Sequence, residues 1–355
     1  MAGNSKLRIA LIELGNSHDE CLYSQIKILM SSEPIHLTLI ANVALKEHAK
    51  YFHNLDESVF VSIRKGFKSW IDIYRVWKLC RIRKFDKVIF NTAQGKTVSK
   101  LLLFPFQKHT QFYGILHNVR KLIASKSQQI ITKKLESYFI LADYFQQHIP
   151  YKCKVEVFYP IFYPEYPSVN IYKPKDEIWV CIPGQVELKR RDYRSLFESI
   201  SKYGLPQNVK FILLGRYDHP HGDGAYIKEE IQALNVEENF QLWKEFVPVN
   251  EFHAYVKSCD YILPLIHEDD ISGELYSYQI SGAFNLAMGY QKPMLIEEAM
   301  AEKFDFPRVI LYEKSELIMV LKNQSLSSAV ITLPSSKYTF ESQRAIYLKS
   351  LGILF

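Results

Sequence analysis

The residue types best suited to holding an anion lie in one short stretch late in the chain. Ser281 and Gly282 precede a small, helix-compatible run that ends at Gly289, with Pro293 shortly after it. The first N–H groups of a helix lack intrahelical partners and carry about half a positive charge, so a Ser-Gly start favours a bound phosphate. Ordinary capping of the helix by the serine explains the same residues.

Two apolar runs flank this predicted helix and would position its start. Residues 260–265 and 293–296 are both short and apolar, which is typical of buried strands. A strand, a polar loop, a helix and a second strand make one step of a parallel α/β sheet. We therefore expect the Ser-Gly pair at the edge of a sheet, where such folds bind their ligands.

The same alternation of strands and helices runs through the whole chain of 355 residues. Residues 7–14 predict a first strand, a polar turn of residues 15–20 follows, and residues 21–30 predict a helix. Four prolines between residues 160 and 174 exclude a regular helix or central strand, and the alternation restarts at residue 178. We predict an α/β protein with two Rossmann-like domains. The predicted divisions are an N-terminal domain 1–160, a linker 161–175, a C-terminal domain 176–335, and a helix 336–355 that packs back on the first domain.

Composition narrows the class of protein further. The apolar fraction of 48% suffices for packed cores, and no apolar run reaches the ~18 residues that a membrane helix needs. The five cysteines form no CxxC pair, which favours buried thiols in a reducing cytoplasm over disulfides. The net charge is +11 over residues 1–165 and −5 over the remainder, so the two halves are expected to meet different partners.

Residues 62–87 hold nine of the basic residues and only two acidic ones. We predict an amphipathic helix here, and its cationic face contains Lys68, Arg75 and Lys78. The apolar face is predicted to comprise Phe67, Trp70, Ile71, Tyr74, Trp77 and Leu79. Such a helix is either a solvated surface or a candidate for docking on anionic lipid headgroups. Nucleic acid is not expected as a partner, because no recognition motif accompanies the charge.

Three signals in the second half occur in an order that resembles the GT-B glycosyltransferases. Residues 182–185 followed by residues 189–193 resemble the glycine strand end and basic stretch that lie at the donor diphosphate. Residues 246–261 resemble the segment beside the nucleobase, and residues 281–293 resemble the donor-phosphate helix. The resemblance covers residues 178–300, and it is looser in the first half, through the Gly15 turn and the strand end at His117.

The resemblance implies two domains that face a central cleft, a nucleotide-diphosphate sugar of UDP or GDP type as substrate, and no cofactor. The common Glu pair of retaining members is missing, since its positions hold Tyr278 and Leu286. The implied donor-binding residues are Gly15, Asn16, Gly184, Gln185, Lys189, Arg190, Arg191, Phe246, Val247, Glu274, Tyr278, Ser281 and Gly282. The acidic loop of Glu268, Asp269, Asp270 and Glu274 is a candidate for sugar hydroxyls or a solvated surface.

Glycosyl transfer also requires a group that takes or positions the acceptor proton. The candidates in the first turn are His18, Asp19 and Glu20, of which we favour Asp19 as the base, and His117 is a candidate contact of the sugar. An acidic helix start explains Asp19 and Glu20 equally well. A metal is not expected, because the run His219, His221 and Asp223 lacks a second ligand cluster.

We therefore predict a cytoplasmic glycosyltransferase; if the basic helix docks on lipid, the protein is peripheral on the inner face of the cell membrane. Its acceptor would be a glycan or lipid-linked glycan in surface polysaccharide assembly. Two alternatives stay open: a sugar-nucleotide 2-epimerase, which resembles the same double fold, and a catalytically degenerate GT-B subunit that only binds.

Overall fold

The structure is a computed structural model of the chain. It describes residues 6–32, 34–53, 55–220, 222–301, 308–323, 331–332 and 336–353. The chain divides into two compact units: unit 1 comprises Met1–Glu165 and Ser336–Phe355, and unit 2 comprises Tyr166–Ser335. The first division falls within the predicted linker, and the chain enters unit 1 a second time at its end.

Unit 1 is built on a seven-stranded sheet in which all described strand pairs are parallel. The strands are β1 (Leu7–Glu13), β2 (Ile35–Asn42), β3 (Glu57–Val61), β4 (Lys87–Phe90), β5 (Gln111–Leu116), β6 (Ser137–Ile140) and β7 (Val155–Val157). Their spatial order is β3-β2-β1-β4-β5-β6-β7. The order reverses between β1 and β4, which makes their carboxyl ends the place where an open α/β sheet takes a ligand.

Unit 2 repeats the same plan. Its strands are β8 (Ile178–Pro183), β9 (Val209–Arg216), β10 (Phe240–Trp243), β11 (Tyr261–Ile262), β12 (Met294–Glu297), β13 (Arg308–Tyr312) and β14 (Ile331–Thr332). The order is β10-β9-β8-β11-β12-β13-β14, and among the described strand pairs only the one between β13 and the edge strand β14 is antiparallel. Here the reversal lies between β8 and β11. The predicted α/β architecture with two Rossmann-like domains is confirmed.

Helices connect these parallel strands and cover the sheets. The α-helices are α1 (Leu22–Met30), α2 (Lys46–Ala49), α3 (Lys68–Arg83), α4 (Gly95–Leu101), α5 (Lys121–Ala124), α6 (Lys126–Thr132), α7 (Tyr193–Tyr203), α8 (Gly224–Ala233), α9 (Val249–Ser258), α10 (Ile271–Tyr276), α11 (Gly282–Gly289), α12 (Glu298–Ala301), α13 (Leu317–Lys322) and α14 (Phe340–Ser350). Short 3-10 helices cover Asp19–Cys21, Val43–Leu45, Asp143–His148, Glu237–Asn239, Lys314–Glu316 and Ser336–Tyr338.

The inner strands are apolar without alternation because both of their faces are covered. In β1, Ile9, Leu11 and Ile12 are all buried, as are Val180 and Ile182 in β8. This explains why continuous apolar runs in the sequence predicted these strands correctly. The edge strand β3, whose sequence is ESVFV, is only half buried and carried no prediction.

The face that α3 turns inward matches the predicted one only in part. The helix buries Ile73, Val76, Trp77 and Cys80, whereas Phe67, Ile71 and Tyr74 are exposed. Trp77 stacks on Phe104 at a centroid distance of 5.3 Å. Apolar residues occur on nearly all sides of this helix, so the sequence pattern alone does not single out the buried face. Of the predicted apolar residues, only Trp77 is buried.

The last helix, α14, completes unit 1, as predicted for the C-terminal helix. Tyr347 is fully buried, its ring stacks on Phe139 at 4.4 Å, and its hydroxyl donates to Gln25 Oε1 at 2.8 Å. Gln343 Oε1 accepts from the backbone N–H of Tyr159 at 2.8 Å. The end of the chain therefore packs against the sheet with which the chain begins.

Candidate functional site

In unit 1 a buried polar network joins the ends of β1 and β4, where the strand order reverses. Glu13 ends β1 and is almost fully buried; its Oε1 accepts from the N–H of Gly15 at 2.7 Å, and its Oε2 accepts from Asn91 Nδ2 at 2.7 Å. Thr92 donates to the same carboxylate. Burial raises the pKa of Glu13, although these donors oppose the rise. The network holds the exposed turn at Gly15 and Asn16 above the strand ends.

His18 follows this turn in a conformation that costs energy. Its φ of 68° is in the left-handed region, which is unfavourable for a residue with a Cβ. Its ring stacks on that of His117, with centroids 3.8 Å apart and planes 23° apart. Strain of this kind persists only where the surroundings impose it, and it is frequent at functional sites.

The two histidines are electrostatically different. His117 is buried, and its Nε2 lies 2.8 Å from the carbonyl oxygen of Asn91, so this nitrogen carries the proton and donates. Burial, aided by the charge of His18, lowers the pKa of His117 well below its usual value. Burial alone would also lower the pKa of His18. The hydrogen bond to Glu20 and the nearby carboxylates outweigh it, so the pKa of His18 is raised.

Asp19 and Glu20 have separate partners. Asp19 Oδ2 lies 2.7 Å from Nδ1 of His48, and Glu20 Oε1 lies 3.3 Å from Nδ1 of His18. Burial would raise the pKa of Asp19, but the bond to His48 outweighs it and lowers the pKa. The structure thus brings His18, Glu20 and His117 together and ties Asp19 to a neighbouring imidazole.

In unit 2 the end of β8 is an exposed glycine turn. Gly184 has a φ of 103°, which only glycine adopts readily, and its N–H donates to the carbonyl oxygen of Leu214 at 3.0 Å. A Cβ on Gly215, at the end of the adjacent β9, would lie 1.9 Å from the carbonyl oxygen of Gly184. The backbones of the two strand ends therefore lie so close together that a side chain at position 215 would not fit. Gln185, the next residue of the turn, is half buried.

Arg191 lies beneath this turn with its charge buried. Only 4% of the residue is exposed; Nη2 donates to the carbonyl oxygen of Pro183 at 2.6 Å, and Nη1 donates to the hydroxyl of Tyr276 at 3.3 Å. Within the described ranges Nε has no hydrogen-bond partner, and the guanidinium has no carboxylate partner. Burial would raise the pKa of Tyr276, but the charges of Arg191 and Arg190 outweigh it and lower the pKa.

The neighbouring charges already have partners. Lys189 Nζ and Arg190 Nε both lie 3.1 Å from Glu187 Oε2. Asp192, which follows Arg191, binds His267 Nδ1 at 2.8 Å and Lys314 Nζ at 3.2 Å. Of the three cations predicted at the donor phosphate, Arg191 is the one that combines burial with an unused donor.

The predicted anion helix forms as α11 and packs against β8. Ser281 is its N-cap and accepts from the N–H of Ala283 at 3.4 Å, as the capping alternative requires. Gly282 is exposed, and the position of a Cβ on it would be open space. The cap thus takes the N–H of Ala283, the N–H of Phe284 donates to the carbonyl oxygen of Ser281 at 3.0 Å, and the exposed Gly282 leaves space beside the helix start.

The other predicted donor-binding residues of unit 2 differ in how far they are exposed. Phe246 is 67% exposed, and the guanidinium of Arg216 lies 5.8 Å from its ring centroid. Val247 and Tyr278 are half buried, and Glu274 is exposed on α10. None of these contacts selects a ligand by itself.

Sequence reasoning did not identify Glu13, Asn91, Thr92, His48 or Tyr276. Residues 85–91 predict a strand that ends at Asn91 and is followed by Thr92, so their position at a strand end was an available signal. No sequence signal pointed to Tyr276. Among the described residues no group of three or more His, Cys, Asp or Glu residues could hold a metal ion. In the run of two histidines and an aspartate at residues 219–223, the second histidine, at position 221, lies outside the described residues.

Comparison with solved structures supports the fold. Anabaena HepE in complex with UDP and glucose has a TM-score of 0.64 at 14% identity, covering 98% of this chain and 100% of that one. UDP-GlcNAc 2-epimerase from Neisseria meningitidis bound to UDP-GlcNAc has 0.60 at 13%, covering 97% and 99%. Sucrose-phosphate synthase from Thermosynechococcus elongatus has 0.61 at 12%, covering 98% and 97%. No protein-family model matches the sequence, and no curated protein does either.

At these identities the likeness establishes the fold, which is of the GT-B type found in nucleotide-sugar enzymes. The predicted resemblance to GT-B proteins is confirmed at that level. No helix in the described ranges is both long and apolar enough to cross a membrane.

Proposed function

We propose that the protein is a metal-independent glycosyltransferase that moves a sugar from a nucleoside diphosphate to a hydroxyl of a glycan acceptor. The observation that carries the proposal is the buried guanidinium of Arg191, which has an unused Nε donor and no carboxylate partner among the described residues. A buried charge is costly unless an opposite charge approaches it. A diphosphate would supply that charge and match the planar donors of arginine.

The surroundings of Arg191 suit the same anion. The turn at Gly184 leaves room for phosphate oxygens to approach the backbone, and α11 directs the positive end of its dipole toward the edge of the sheet at Ser281 and Gly282. Lys189 and Arg190 would add positive potential while they pair with Glu187. These groups would stabilise the charge that develops on the departing diphosphate.

For the acceptor we propose His18 as the general base. Nδ1 of His18 points to Glu20, which leaves the lone pair of Nε2 to take the proton of the attacking hydroxyl. The acceptor oxygen would then bond to the anomeric carbon as the bond from that carbon to the donor phosphate breaks. The nucleoside diphosphate leaves with the electron pair. Asp19, which we favoured from the sequence, is less available because His48 binds its carboxylate.

We also propose which donor and which class of acceptor the protein uses. UDP or a UDP-sugar is bound in the HepE and N. meningitidis epimerase structures, which supports a UDP-sugar donor here, with a GDP-sugar as the other candidate. We propose a glycan or lipid-linked glycan acceptor of surface polysaccharide assembly.

Product analysis tests the proposed reaction directly. The protein is incubated with UDP- and GDP-sugars, with and without a panel of glycan acceptors, and the products are separated by mass and sugar composition. We expect an acceptor longer by one sugar together with free nucleoside diphosphate. Conversion of the donor sugar without any acceptor would assign the epimerase activity instead. Donor binding without turnover in any mixture would assign a degenerate binding subunit.

A further inference from the structure

The outer face of α3 carries large apolar side chains that are exposed instead of buried in the core. Phe67 is 83% exposed, and Ile71 and Tyr74 are each 45% exposed. The three residues are spaced by four and three positions, so they lie on one side of the helix. The opposite side has its own core contacts through Ile73, Val76 and Trp77. Exposed Phe67 and Ile71 therefore add nothing to the packing of unit 1.

Leu103 extends this apolar surface beyond the helix. It is 59% exposed and directly precedes Phe104, whose ring lies 6.1 Å from that of Tyr74 and 6.3 Å from that of Trp70. Phe104 itself is partly covered by these contacts. We name the set Phe67, Ile71, Tyr74 and Leu103 the α3 surface. A contiguous exposed patch of this kind marks a site of interaction with an apolar partner.

Cations frame the α3 surface, and its own segment offers no exposed acid. Residues 62–84 contain eight Lys or Arg and a single acid, Asp72. Asp72 is buried and binds Arg64 Nη2 at 2.6 Å, with Arg75 at 3.6 Å. The exposed charges on the outer face are those of Lys65, Lys68, Arg75, Lys78, Arg81 and Lys84. Its partner should therefore be negatively charged at the rim and apolar at the centre.

We propose that the α3 surface docks on an anionic lipid bilayer, with the helix parallel to the membrane. Phe67, Ile71 and Leu103 would enter the boundary between headgroups and acyl chains, while Lys68 and Lys78 would lie at the level of the phosphates. A nucleic acid would satisfy the cations but offers Ile71 and Leu103 no apolar environment. The bilayer satisfies both kinds of side chain at once. The inference is independent of the proposed activity, because it requires no sugar nucleotide.

Vesicle co-sedimentation of the full chain tests the docking. Vesicles of phosphatidylglycerol and phosphatidylcholine are compared with vesicles of phosphatidylcholine alone. We expect binding to the anionic vesicles only, weakened by salt. In a Lys68→Glu/Lys78→Glu variant, affinity should fall by at least about fivefold for each lysine. Phe67→Ser/Ile71→Ser should also reduce binding, and the residual binding should be lost in high salt.

A matched control lies in unit 2. Met319 and Lys244 are exposed there, so Met319→Ser/Lys244→Glu makes a similar change elsewhere and should bind as the unaltered protein does. Circular dichroism checks that each variant is folded. A further variant, Phe67→Trp, places a tryptophan on the α3 surface. The emission maximum of this tryptophan should shift to shorter wavelength when anionic vesicles are added. The proposal is overturned if anionic vesicles do not bind, if the α3 variants bind as well as the control, or if a duplex oligonucleotide binds in place of vesicles.

Discussion

The residue that best explains anion binding is a buried arginine. Water-exposed cations are common on proteins, but an arginine that is only 4% exposed and has no acidic partner in the described ranges is not. Three neutral oxygens hold Arg191 in place, those of Pro183, Arg190 and Tyr276. They fix its direction without neutralising its charge. The site is thereby organised for an anion before the anion arrives.

At the same scale, His18 and Asp19 give opposite expectations. His18→Gln removes the proposed base, so kcat should fall by about 100-fold or more, while KM for the donor changes little. Asp19→Asn removes the charge that pairs with His48 and that helps to raise the pKa of His18, but it should leave most of the activity. Steady-state kinetics with the acceptor found by product analysis would compare the two. A larger loss for Asp19→Asn than for His18→Gln would return the base to Asp19.

The raised pKa of His18 also predicts the pH profile of the reaction. A base must be unprotonated, so kcat/KM should rise with pH until it passes the pKa of His18, above the usual value for histidine. The rise should disappear in the His18→Gln variant. A profile that is flat from about pH 6 to about pH 9 in the unaltered protein would contradict this role.

His117 predicts a pH effect on stability. Its folded pKa is depressed, so the unfolded chain binds the proton more tightly and stability falls as pH decreases below about 6.5. His117→Phe removes the titrating group and the bond to Asn91, so it should lower Tm at neutral pH but make Tm less dependent on pH. Thermal unfolding from neutral to mildly acidic pH would measure both. An equally steep loss of Tm in the variant would assign the acid sensitivity to other groups.

At the scale of elements, the turns at the ends of β8 and β9 depend on two glycines. A Cβ at Gly215 would meet the carbonyl oxygen of Gly184 at 1.9 Å, and backbone cannot move aside cheaply. Gly215→Ala should therefore destabilise unit 2 by about 1–3 kcal/mol and disturb the position of Arg191.

Gly282→Ala is the matched control for that change, because a Cβ there meets only open space. Its Tm should equal or slightly exceed that of the unaltered protein, since alanine is the better helix former. Differential scanning fluorimetry would compare the two variants. Equal Tm values for Gly215→Ala and Gly282→Ala would mean that the strand ends are more adaptable than the structure indicates.

Elements also show what could be predicted from the sequence. Continuous apolar runs located β1, β11 and β12, because strands buried on both faces leave a direct pattern. The start of α11 at Ser281 and Gly282 was also predicted correctly, because the capping contact joins residues that are adjacent in the sequence. The face of α3 was only partly right, because apolar residues occur on nearly all sides of this helix and the sequence pattern does not single out the buried one. The buried network of Glu13 and Asn91 was missed because parallel pairing of β1 and β4 brings its members together.

At the scale of the whole molecule, the chain ends in the unit where it began. The hydroxyl of Tyr347 on α14 donates to Gln25, whose Nε2 donates to Asn91 Oδ1 at 2.6 Å. The last helix is thus connected through buried hydrogen bonds to the strand-end network beside His18. This link could not be predicted from the sequence, because its three residues come from three distant segments of the chain.

Tyr347→Phe isolates that link, because it removes one hydroxyl and keeps the stack on Phe139. The free energy of unfolding of unit 1 should decrease by about 1–3 kcal/mol, since Gln25 Oε1 is left buried without its donor. Urea unfolding followed by circular dichroism would measure the change. A stability equal to that of the unaltered protein would show that water replaces the hydroxyl without cost.

Isothermal titration of UDP, GDP and their sugars measures directly whether Arg191 binds the donor. We predict that one nucleotide binds the unaltered protein and that Lys189→Ala weakens its binding much less than Arg191→Ala does, since Lys189 is exposed and paired with Glu187. Arg191→Ala should weaken binding by about 10-fold or more, because a charged hydrogen bond is worth about 1.5–3 kcal/mol. Arg191→Lys, which keeps the charge but not the planar donors, should give an intermediate affinity. Unchanged affinity in a folded Arg191→Ala variant would contradict the role of this arginine as the anion site.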